Sequence, residues 1–68
     1  MEKEKTGIIA GQIWQCLNEH DGNMSLKILK KELKLIDRNL FLAIGWLMRE
    51  DKIFLFEKDN EWNASLIY

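Results

Sequence analysis

Cys16 is the only cysteine in this 68-residue chain, and that narrows the possible folds more than any other feature. A domain of this size buries only about 60% of the surface its unfolded chain exposes. The apolar gain then barely matches the roughly 1.5 kcal/mol lost in ordering each residue. Small domains often recover the margin with a disulfide or a structural metal. One thiol makes no disulfide, and Cys16 with His20 falls short of the set that a structural zinc takes. The chain must rely on a dense apolar core, with or without a partner subunit. Its composition fits, since 47% of the residues are hydrophobic, with Trp14, Phe41, Trp46, Phe54, Phe56, Trp62 and Tyr68 supplying bulk. That surplus predicts oligomerisation. No apolar run approaches the roughly 20 residues of a membrane span, and no export signal is visible. The expectation is therefore one cytoplasmic domain without a membrane segment, a metal or a cofactor.

Hydrophobic periodicity divides the chain. Residues 1–5 read as a charged tail, and Thr6 as the N-cap of a first helix over 6–21. There Ile9, Ala10, Ile13, Cys16 and Leu17 form one stripe. Gly7 and Gly11 leave a thin face for another backbone, and Gly22 suits a left-handed helix stop. Asn23-Met24 reads as a short extended connection. Ser25 opens a second helix over 25–34 with Leu26, Leu29 and Leu33 inward. Asp37 reads as the N-cap of a third helix over 37–50, with Leu40, Ala43, Ile44 and Leu47 on one face. The period then changes to two. Ile53 to Phe56 and Trp62 to Tyr68 read as the strands of a hairpin over 53–68, joined by a polar tip at Lys58-Asp59-Asn60-Glu61. In the second strand Trp62, Ala64, Leu66 and Tyr68 share one side.

Three helices followed by a hairpin make a mainly α domain with the plan of a winged helix-turn-helix. Several stretches point the same way: Ile8 to Trp14, Ser25-Leu26 to Leu33, and Ala43-Ile44-Gly45-Trp46-Leu47 continuing into Arg49-Glu50-Asp51-Lys52-Ile53. Together they resemble a family of very small prokaryotic winged helix-turn-helix proteins of largely unassigned function. The resemblance covers almost the whole chain. It implies the winged-helix fold, a homodimer and a role in transcription regulation, and it implies neither an enzyme nor a cofactor. It carries no residue-level assignments.

The residues themselves argue against catalysis. His20 falls at a helix end, where an imidazole satisfies free carbonyls, and Cys16 lies on the core stripe. No carboxylates are paired for acid–base work, and no glycine-rich phosphate loop or small-molecule site is evident.

Two binding functions stay open. For double-stranded DNA, Lys27, Lys30, Lys31 and Lys34 fall within about 100° of one another on helix two. Arg38 and Asn39 stand where helix three would read bases, and Arg49 could hold a phosphate. Against it, the net charge is -1, and the acids Glu57, Asp59 and Glu61 crowd the wing tip. For a protein partner or a second copy, Leu42 and Trp46 stand on the outward side of helix three. Phe54 and Phe56 make the first wing strand apolar on both faces. The alternative function is therefore an interaction and dimerisation module that binds no nucleic acid.

Overall fold

The computed structural model describes residues 3–67. Its elements are α1 (Lys3–Glu19), β1 (Asn23–Ser25), α2 (Leu26–Glu32), α3 (Asp37–Arg49), β2 (Ile53–Lys58) and β3 (Glu61–Leu66). This is the winged helix-turn-helix order, with a third strand added. The core takes Ile9, Ala10, Ile13, Cys16 and Leu17 from α1, Leu26 and Leu29 from α2, and Leu40, Ala43, Ile44 and Leu47 from α3. The sheet closes it with Met24, Ile53, Ala64 and Leu66. Each helix contributes the stripe its periodicity predicts.

The ends of the helices differ from expectation. α1 begins at Lys3, so residues 3–5 of the expected tail are helical, and Thr6 is a buried residue inside the helix. No glycine or proline opposes helix there, and Glu4 in the first turn complements the helix dipole. Residues 1 and 2 lie outside the described segment. Ser25 does cap α2, its Oγ accepting a hydrogen bond from the Ile28 amide at 3.1 Å. Asp37 does not cap α3. The N-cap position falls to Ile36, which makes no side-chain cap, and Asp37 is the first helical residue.

All three helices stop by one device. A residue in the left-handed conformation follows the cap position: Asp21 at φ 63°, Lys34 at φ 53° and Asp51 at φ 56°. The next amide reaches back to the last turn, from Gly22 to the Leu17 carbonyl at 2.8 Å, Leu35 to Lys30 at 3.0 Å, and Lys52 to Leu47 at 2.9 Å. These are Schellman closures built without glycine at the left-handed position. Gly22, expected to be left-handed, has φ 92° and lies one residue further on.

The sheet has the order β1-β3-β2, all antiparallel. Asn23-Met24 is thus more than a connection: Asn23 pairs with Ser65, Met24 with Ala64 and Ser25 with Asn63. The strand exists because β3 offers a free edge, which the Leu66 amide extends to the Gly22 carbonyl at 2.8 Å. The wing tip is tighter than expected. Lys58 pairs with Glu61, leaving a two-residue turn in which Asp59 and Asn60 have φ 54° and 65°. Positive φ at both positions is the primed turn that matches strand twist. Tyr68, expected to continue the inward alternation, lies outside the described residues.

Candidate nucleic-acid interface

Charge is distributed unevenly along the chain. Residues 25–49 hold Lys27, Lys30, Lys31, Lys34, Arg38 and Arg49 against Glu32 and Asp37, a balance of +4 in a chain of net charge -1. The helix pair that would meet a duplex is therefore basic, while the segment from Glu50 onward has five acids and two lysines. Arg38, Leu42, Gly45 and Arg49 recur at i, i+4, i+7 and i+11, which aligns them in one row opposite the core face of α3. Arg38 and Arg49 are exposed, and Gly45 leaves open space where a Cβ would stand.

Not every expected contact belongs to this surface. Asn39 is half-buried, and its Oδ1 is buried without a hydrogen-bond partner among the described residues, so it does not stand ready beside Arg38. It lies about a quarter of a turn around the helix from the arginine row, on the side away from Phe41. Lys34 is not on α2 at all. Its left-handed backbone takes it past the helix end, into a polar depression shared with Glu19, His20 and Glu32. The four-lysine stripe on one helix is therefore three lysines: Lys27 and Lys31 are exposed, and Lys30 bonds Asp37 at 2.7 Å.

The expected interface residues also separate. Trp46 is half-buried and packs on the core, with its ring lying over Gly7. The thin face of α1 receives an indole, then, where the sequence suggested a second backbone. Leu42 remains exposed on α3. Phe54 and Phe56 lie on the outer face of the sheet, with ring centroids 6.0 Å apart. The structure brings Leu42 and Trp46 to one depression with Gly45 and Arg49 and sets Phe54 and Phe56 apart on the sheet, so the four do not form one surface.

What it does assemble is a groove of about 420 Å³ between the helices and the wing, lined by Leu26, Lys27, Phe41, Leu55, Glu61 and Trp62. Phe41 is 56% exposed and Trp62 54%. Trp62 does share the inward side of β3 with Ala64 and Leu66, as the alternation predicts. It sits near the hairpin tip, beyond the cover of the helices. The alternation marks Trp62 as inward, but the sequence carries no signal that α2 ends at Glu32 and leaves it uncovered.

Cys16 and His20 are accounted for within the fold. The His20 imidazole donates from Nδ1 to the Cys16 carbonyl at 2.8 Å, and the Cys16 thiol lies 3.6 Å from the Met24 sulfur. Burial, with Glu32 and Glu19 adding negative charge, pushes the thiol above its usual pKa. Such a thiol is a poor nucleophile at neutral pH. Among the described residues no group of three or more His, Cys, Asp or Glu could hold a metal ion, and no helix is long and apolar enough to cross a membrane.

Comparison with known proteins places these features in a family. The model of the Winged helix-turn-helix domain family (DUF2582) matches residues 1–66. An uncharacterized protein of Methanocaldococcus jannaschii is 43% identical over 65 residues, covering 91% of this chain and 90% of that protein. A solution NMR structure of a protein from Bacteroides thetaiotaomicron superposes with a TM-score of 0.81 at 35% identity. It covers 97% of this chain and 79% of the other. The chain belongs to the Winged helix-turn-helix domain family.

Proposed function

We propose that the protein is a cytoplasmic, homodimeric DNA-binding regulator of transcription that docks on the duplex through α2 and α3. The observation that carries this reading is charge segregation: +4 on residues 25–49 in a chain of net charge -1. Phosphate contacts fall to Lys31 on α2 and to Arg49, while Arg38, near the start of α3, is placed to read a base edge. The acidic wing is repelled by phosphate and stands away from the duplex. No catalytic step enters this reading, because Cys16 and His20 serve the fold and no cofactor is called for.

Fluorescence anisotropy of labelled duplexes across a salt series tests it. Affinity falls linearly in log–log terms with salt; Lys31→Ala reduces the slope by about one, and Arg38→Ala costs about 1–3 kcal/mol and relaxes specificity at one base position. Absence of binding to any duplex at low salt would overturn the reading.

One observation favours a second reading. The groove beside α3 is walled by exposed Phe41 and Trp62, and aromatic groups of this kind anchor protein contacts. On that reading the domain is an interaction module, and nucleic acid plays no part.

A further inference from the structure

We infer that the groove between α3 and the wing seats Trp62 of a second copy, in a two-fold contact closed by Lys27 of each protomer against Glu61 of the other. The inference deepens the homodimer reading by naming its interface, and it does not depend on DNA binding.

The groove's volume of about 420 Å³ falls in the range of roughly 300–1,000 Å³ typical of sites that enclose a small molecule. It is ample for an indole. Its floor and walls are Leu26, Phe41, Leu55 and Trp62. Its two charges stand on different elements, Lys27 on α2 and Glu61 on β3. Neither charge makes an ion pair among the described residues, where the one salt bridge joins Lys30 and Asp37.

This mixed rim selects the occupant. Nucleic acid would meet Glu61 and gain nothing from Phe41 or Trp62. An acidic segment is opposed by Glu61 and a basic one by Lys27. A surface with one free cation, one free anion and two exposed aromatics is complementary to itself. A two-fold contact demands that property, since residue i meets j while j meets i. Each protomer then buries Trp62 between the partner's Phe41 and Leu55, and the Lys27–Glu61 pair forms twice. A net charge of -1 offers little repulsion between copies. The sheet's outer face, with Phe54 and Phe56, lies outside this contact.

Sedimentation velocity over a concentration series tests the inference on the full chain. The wild type forms a concentration-dependent dimer. Trp62→Ala weakens it on the order of ten-fold or more, because each substitution enters the contact twice. Lys27→Glu and Glu61→Lys each weaken it comparably, and the double reversal Lys27→Glu with Glu61→Lys restores it to within a few-fold of wild type. Phe54→Ala leaves association unchanged. Trp62 and both charged residues are exposed, and far-UV circular dichroism melts check that each variant folds. A wild type that stays monomeric at high micromolar concentration overturns the inference, as does a dimer indifferent to Trp62→Ala or a double reversal that restores nothing. The DNA reading is tested on Lys31 and Arg38, outside the groove, so the two can fail separately.

Discussion

The ring of Trp46 lies 3.5 Å from the point where a Cβ on Gly7 would stand, so α1 and α3 meet through an indole laid on a glycine. That distance is ordinary van der Waals contact. Gly7→Ala therefore fits, and the gain in helix propensity stabilises the domain by about 0.5–1 kcal/mol. Gly7→Leu has no room beneath the ring and costs about 1–3 kcal/mol by overpacking. Trp46→Ala lowers the melting temperature and leaves the sedimentation of the folded protein unchanged. A shift in the association constant would instead return Trp46 to an interface role.

Lys34 is left-handed at φ 53°, in the position where helices favour glycine. Lys34→Gly relieves that conformation and raises stability by about 1 kcal/mol in urea denaturation. The same variant leaves the salt slope of DNA binding unchanged, because Lys34 sits with Glu19 and Glu32, apart from Lys27 and Lys31. A slope reduced by one would put Lys34 back among the phosphate contacts.

Asp37 holds Lys30 at 2.7 Å, with both side chains well exposed. An exposed pair of this kind contributes at most about 1 kcal/mol, so Asp37→Asn costs the fold little. The released Lys30 adds a cation beside Lys27 and Lys31. The salt slope of duplex binding then steepens by about one, and affinity at low salt rises. An unchanged slope would show that Lys30 faces away from the duplex.

Cys16 is buried, and its thiolate is disfavoured in the folded state, first by desolvation and then by Glu32 and Glu19. At neutral pH iodoacetamide modifies the native protein on the order of ten-fold more slowly than the denatured chain. The thiol's pKa is higher in the folded than in the unfolded state. Its contribution to stability is therefore complete below the unfolded value and is lost as pH rises through the folded one. Urea melts from neutral to alkaline pH show a smaller alkaline loss in Cys16→Ala than in the wild type.

The sequence determined the helices and their inward faces, because an apolar stripe at helical spacing has one way to leave water. Ile9, Ala10, Ile13, Cys16 and Leu17 on α1, and Leu40, Ala43, Ile44 and Leu47 on α3, are legible for that reason. The hairpin was legible from the change to a period of two, and the charge contrast between the helix pair and the wing from simple counting. Tertiary structure alone decided where the remaining groups stand. Trp46 looks outward on a lone helix until Gly7 of α1 is brought under it. Lys34 belongs to the lysine stripe until a left-handed residue turns the chain away. β1 forms because β3 has a free edge, and Phe41 meets Trp62 across a groove because the hairpin outreaches α2. The Lys34 turn is a local closure between Leu35 and Lys30, but each of the others depends on a neighbour far off in the chain, and local periodicity carries no information about which element that neighbour is.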